Sequence, residues 1–125
     1  LRHNQDSFGE EIKLNDSGYV VEPNQFILGS TLEKITLGDS IFGLLETKGN
    51  IARAGLQVHN TDGHIDPGFS GNITLELKNN SNRQIRIYPQ IAIAQLYFWN
   101  LRTRSLSPYR GKYQNQEGAT RYRKD

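Results

Sequence analysis

Two carboxylates flanking a loop-to-strand transition are the first residues in this chain that could do chemistry. Thr61 to Lys78 reads TDGHIDPGFSGNITLELK. Thr61, Asp62, Gly63, Asp66, Pro67, Gly68, Ser70 and Gly71 are residue types that bend a backbone. From Asn72 the pattern becomes that of a strand. Ile73, Leu75 and Leu77 alternate with Thr74, Glu76 and Lys78, giving one apolar face and one polar face. Glu76 in mid-strand, just after a loop holding Asp66, could form the floor of a polar pocket. The same pattern suits a half-exposed sheet on which Glu76 simply faces water.

A second group offers positive charge. Asn50 can cap a short helical turn, Ile51-Ala52-Arg53-Ala54, with Gly55 as its left-handed exit. A helix start exposes unpaired N–H groups, and Lys48-Gly49 just upstream adds a cation and a bare backbone, a combination that suits an anion. Arg53 points off the turn. A connector with surface charges reads the same way. The third group is the tail from Pro108 to Asp125, with Tyr109, Lys112, Tyr113, Gln114, Gln116, Arg121, Tyr122 and Arg123. Aromatics interleaved with cations stack on bases and pair with phosphates, so this is a nucleic-acid-binding arm, a lid over a nucleotide, or a solubilising end.

The elements that must position these groups are short. Glu11–Leu14, Tyr19–Glu22, Gln25–Leu28, Thr31–Leu37, Ser40–Glu46 and Gln84–Tyr88 extend between turns at Asn15–Gly18, Pro23-Asn24, Gly38-Asp39 and Asn79–Arg83. Gly29 reads as an interruption, Asn79–Arg83 as a hairpin, and Ile91–Trp99 as a central strand buried on both faces. Strands at near-regular spacing predict an all-β sandwich or barrel. The chain has 125 residues, enough for one domain, but its hydrophobic content is 35% and its mean hydropathy −0.66. So polar a chain is expected to complete its burial in an oligomer.

Composition also excludes. No apolar run is long enough to span a membrane, and the N-terminus does not resemble a signal peptide. The absence of cysteine fits a reducing compartment and removes every thiolate zinc site, including that of the zinc nucleobase deaminases. Residues 1–101 carry 8 basic and 11 acidic side chains, whereas 102–125 carry 7 and 2. A slightly acidic body with a basic tail suits a polyanionic partner.

Four segments together resemble the trimeric dUTPase/dCTP deaminase superfamily, in its deaminase branch. They are STLEKITL (Ser30–Leu37), ARAGLQVHNTDGHIDPGFSGNITLEL (Ala52–Leu77), YPQIAIAQLYF (Tyr88–Phe98) and PYRGKYQNQEGAT (Pro108–Thr120). The KYQ-x-Q-x-G-x-T tail resembles deaminases rather than the glycine- and phenylalanine-containing arm of dUTPases. The resemblance implies a distorted jelly-roll β-barrel with one short helix, assembled as a homotrimer with active sites between subunits. It implies a β domain over 1–107 and a lid over 108–125. The implied activity is zinc-independent conversion of dCTP to dUTP and ammonia, with possible further hydrolysis to dUMP. Mg²⁺ would enter on the nucleotide phosphates. A deoxynucleotide is the implied partner, nucleic acid and membrane are not, and the implied compartment is the cytoplasm.

By motif position Glu76 is the glutamate that shuttles protons between water, ring nitrogen and leaving ammonia. That role calls for a proton affinity lifted by partial burial. Arg53 matches an arginine near the reacting base, Asp66 the aspartate on the sugar 3′-hydroxyl, and Phe69 an aromatic beside the sugar. The Thr74 backbone matches the group that pairs with the base edge. Lys112 and Gln116 match lid residues, with Tyr109 in the same lid. The departures gather here too. Thr47-Lys48-Gly49-Asn50-Ile51-Ala52-Arg53 stands where the family carries G-R-S-S-L-A-R. Lys48 loses a bidentate fork, Gly49 a water-holding serine and Asn50 a phosphate-contacting serine. Asp62 stands where a small alanine abuts the base. The family's N-terminal glycine-aspartate motif is not evident before Leu1. These departures leave open a non-catalytic or altered-specificity nucleotide-binding homologue, and the tail leaves open a nucleic-acid-binding module.

Overall fold

Alternation and frequent turn residues produce β1 (Tyr19–Val21), β2 (Phe26–Thr36), β3 (Ile41–Thr47), α1 (Gly49–Arg53), β4 (Leu56–Gln57), β5 (His64–Ile65), β6 (Ser70–Asn79), β7 (Ile85–Ile87) and β8 (Ala94–Asn100) in the computed structural model, which describes residues 9–123. They form three antiparallel sheets: β1-β7, β2-β6-β4 and β5-β3-β8. The core between them is built from Val21, Leu45, Leu56, Val58, Ile65, Phe69, Ile73, Leu75, Leu77 and Ile87. No helix among the described residues is long and apolar enough to cross a membrane.

β6 is the axis of the arrangement. Gly71, Ile73, Leu75, Leu77 and Asn79 are buried, while Asn72, Thr74, Glu76 and Lys78 stay partly exposed, as a period of two requires. Its long partner β2 runs straight through Gly29, which pairs with Leu75 and does not interrupt the strand. The irregularity lies instead between Ser30 and Lys34, where the register shifts. There the Thr31 hydroxyl accepts the Ile73 N–H at 2.9 Å, and the Asn72 amide donates to the Thr31 and Glu33 carbonyls at 3.1 Å. Side-chain bonds close this bulge, so the local pattern carries no sign of it.

Three more expectations are corrected. Glu11–Leu14 forms no strand; only Leu14 leans on the core. Asn79–Arg83 is no hairpin, because β6 pairs with β2 and β4 whereas β7 pairs with β1. The turn therefore carries the chain between sheets, and buried Asn79 organises it. Its amide donates to the Val21 and Arg83 carbonyls at 2.9 and 2.8 Å, and its oxygen accepts the Ser81 N–H and hydroxyl. The apolar stretch Ile91–Trp99 is not central. β8 begins only at Ala94 and is an edge strand paired with β3 alone. Tyr97, Phe98 and Trp99 are about half exposed (47, 54 and 48%), and Phe42 joins them with ring centroids 6.0 Å from Trp99. Apolar residues on both faces signal burial, yet a single chain leaves this face uncovered.

Candidate active site

Glu76 sits on the polar face of β6, opposite Leu28 of β2. The bend after β4 wraps its carboxylate. Oε2 accepts the N–H of Asn60 at 2.8 Å, of Thr61 at 2.6 Å and of Asp62 at 3.3 Å, and the Thr61 hydroxyl donates to Oε1 at 3.1 Å. Burial alone would push its proton affinity up. The hydrogen bonds from Thr61, Asn60 and Asp62 together outweigh that push, so the pKa lies below the ordinary glutamate value. This corrects the expected upward shift: the strand does supply partial burial, but the bend supplies donors that favour the anion.

The sign has a stability consequence. A carboxylate more acidic in the folded chain adds stability above its unfolded pKa and loses it as pH falls through its lowered folded value. The melting temperatures of the wild type and Glu76→Gln are therefore expected to differ most near neutrality. They should converge as acid is added through and below the usual glutamate range, read by thermal melts across pH. A gap that stays constant would show that the bend does not depend on the charge.

The structure gathers several of the sequence-picked residues around this face. Thr74 lies two residues before Glu76 on the same side, and its hydroxyl accepts the Thr120 N–H at 3.0 Å. The tail thus lies along β6. Asn115 donates to the Ser70 carbonyl at 2.7 Å, and Gln116 makes a parallel bridge to Gly71. Gly71 has φ +146°, and a Cβ there would meet the Gln116 backbone at 3.0 Å, so the close passage of the tail requires glycine. Gln116 is buried, with its amide donated to the Asn72 carbonyl at 2.7 Å. Its side chain serves the strap itself.

Other residues land differently. Phe69 belongs to the core at 8% exposure, with Tyr109 packed over it at 5.9 Å between ring centroids. Asp66 is exposed on the loop before β6, and its carbonyl accepts the Phe69 N–H. Lys112 and Arg123 clasp each other's backbone carbonyls at 2.7 and 2.8 Å, with Lys112 also near the rings of Tyr113 and Tyr122. Lys112, Tyr113, Tyr122 and Arg123 thereby close a loop among themselves, whereas Arg121 donates to the Gly9 carbonyl at 2.9 Å.

Lys48, Gly49, Asn50 and Arg53 form a separate, exposed group at and along α1. Lys48, not Asn50, occupies the cap position, without a side-chain bond, and Asn50 lies inside the helix. Gly55 is the left-handed exit, at φ +94°. Arg53 lines an open cleft with Ser81–Ile85, beyond the end of β6. Asn79, three residues past Glu76, is already ~10 Å along the strand, and no hydrogen bond or ion pair joins α1 to Glu76 among the described residues. Reasoning along the chain missed Asn60 and Thr61 as partners of Glu76, since nothing local links a bend to a strand 14 to 16 positions away. It also missed His59, whose Nε2 lies 3.3 Å from Glu46 Oε2. No group of three or more His, Asp or Glu side chains among the described residues is placed to hold a metal.

Three antiparallel sheets with a strapped tail and one short helix define a dUTPase-like jelly-roll fold, and solved structures agree. The EIAV dUTPase superposes with a TM-score of 0.62 at 21% identity, covering 89% of this chain and 90% of that one. Residues 2–101 match the model of the dCTP deaminase-like family, and the chain belongs to that family. A Persephonella marina protein named "dCTP deaminase, dUMP-forming" is 41% identical over 89% of this chain and 61% of its own length. A Mycobacterium tuberculosis protein of the same name is 48% identical over 82% of this chain and 56% of its own. The chain therefore spans about three-fifths of the length of such relatives.

Proposed function

We propose that this chain deaminates the cytosine of dCTP without zinc, with Glu76 as the proton-transferring group. The observation that carries the reading is the Glu76 carboxylate, which accepts backbone N–H groups that favour its anion and is held on the polar face of β6 beside Thr74 and the tail. An anion can take a proton from a water adding to C4, then return it as ammonia leaves, so that dCTP and water give dUTP and NH₃. A base seated against Glu76 adds desolvation, the contribution that already pushes its proton affinity upward. The names of the relatives favour a second hydrolysis to dUMP and pyrophosphate.

The separation of α1 from Glu76 within one chain favours a composite site. In a homotrimer a neighbour would bring its Lys48, Asn50 and Arg53 toward the phosphates and base at Glu76, and the half-exposed β8 aromatics would be covered. Mg²⁺ would then enter with the triphosphate, and Asp66 is free to meet a sugar hydroxyl. A panel of cytosine and uracil nucleotides with Mg²⁺, read for ammonia and for pyrophosphate together, tests this reading. Ammonia with pyrophosphate from dCTP is expected. Ammonia alone would place the stop at dUTP, and no ammonia from any cytosine nucleotide would overturn the enzyme reading.

A non-catalytic homologue is favoured only by the residues at 48–50 and by Asp62. The Asp62 carboxylate weakens its part of that case, because its own loop takes it up: Oδ1 accepts the His64 N–H at 3.1 Å.

A further inference from the structure

The bend that wraps Glu76 is itself closed by a side chain that the proposed proton transfer does not use. Asp62 Oδ1 accepts the His64 N–H at 3.1 Å and lies 3.8 Å from His64 Nδ1. The Asp62 N–H meanwhile points the other way, to Glu76 Oε2 at 3.3 Å. Among the described residues Asp62 is the one side chain that hydrogen-bonds within the bend. Both ends of the bend are anchored to β3. Upstream, the Val58 N–H donates to the Thr47 hydroxyl and His59 meets Glu46. Downstream, the Gly63 carbonyl accepts the Leu45 N–H, and His64 pairs with Leu44. Between the anchors, an aspartate bonding two residues ahead is the local device that keeps an open loop bent.

We propose that Asp62 is a positioning residue for Glu76, its carboxylate closing the bend so that three N–H groups converge on the Glu76 carboxylate. The geometry stands without the deaminase reading; its meaning for catalysis rests on it. A carboxylate at this place thereby acts on the reacting group through the backbone.

Charge and geometry pull in opposite directions, which makes the proposal testable. Asp62 is a like charge near Glu76, so removing the charge alone lowers the proton affinity of Glu76. Opening the bend withdraws N–H donors and raises it. The other titratable side chains on β6 and the bend are Lys78, whose ammonium donates to the Asn24 carbonyl, His64, and His59 with its Glu46 partner. The test is a ¹³C NMR titration of the Glu76 side-chain carboxyl in the whole chain, assigned by its loss in Glu76→Gln. Asp62→Ala and Asp62→Asn are compared with the wild type.

Asp62→Ala is expected to raise the proton affinity of Glu76 roughly tenfold, the scale of one lost bond to a charged acceptor. It should also speed amide exchange at Asn60 and Thr61 by a similar factor. Asp62→Asn keeps an acceptor oxygen for the His64 N–H and should leave both within about twofold. A fall in proton affinity in both variants, or no change in either, overturns the proposal. Titration needs no turnover. A chain that titrates as expected yet releases no ammonia therefore overturns only the deaminase reading.

Discussion

Replacing Glu76 by glutamine is expected to lower ammonia release from dCTP by roughly 10²–10⁴-fold, the usual contribution of a positioned acid–base group. The fold should survive. Glutamine keeps a carbonyl oxygen that can still accept from the Asn60 and Thr61 N–H groups, now without charge assistance. The loss should appear in kcat rather than in substrate affinity, because the missing capacity is proton transfer. Single-turnover ammonia assays with circular dichroism melts on the same sample measure both quantities. Activity retained within a few-fold would remove Glu76 from the chemistry. The surrounding bend would then be a structural clasp for an anion on the sheet surface.

The second large effect separates two readings of Phe69. A ring lining a sugar pocket would cost little stability and weaken nucleotide binding on removal. The ring observed here is 8% exposed, faces the core and carries Tyr109 on one side. Phe69→Ala is therefore expected to cost about 3–5 kcal/mol of folding stability, as large-to-small changes at buried aromatic sites do. Urea denaturation reads it directly. The tail should loosen as well, since Tyr109 donates its N–H to the Pro67 carbonyl beside that ring and loses its packing partner. A variant of unchanged stability would move Phe69 out of the core and back to the nucleotide.

Both expectations depend on β6, and β6 is where local pattern and structure agree best. Alternation from Ile73 to Lys78 placed Glu76 on the polar face, and that face is the partly exposed one. The short strand His64–Ile65 and the start of β6 at Ser70 were not legible, whereas the turns on either side of that strand at Thr61–Gly63 and Asp66–Gly68, the helical turn ending at Gly55 and the all-β architecture were, for a similar reason. Each follows from the conformational preference of residues close in sequence. The failures also have physical causes. Gly29 breaks strands in isolation but is tolerated where β2 lies paired along a long neighbour. Asn79 looked like part of a hairpin, yet its buried amide joins Val21 to Arg83.

By itself the sequence determined the family, the class of fold, and which carboxylate stands on the polar side of its strand. These are matters of short-range pattern and motif order. Tertiary structure alone decided that Glu76 is held as an anion, because its donors come from a bend far away along the chain. It also decided that the tail straps β6, and that the α1 cations and Glu76 lie apart within one chain. Convergence of groups distant in sequence follows from packing three sheets around one core, and no local preference encodes it.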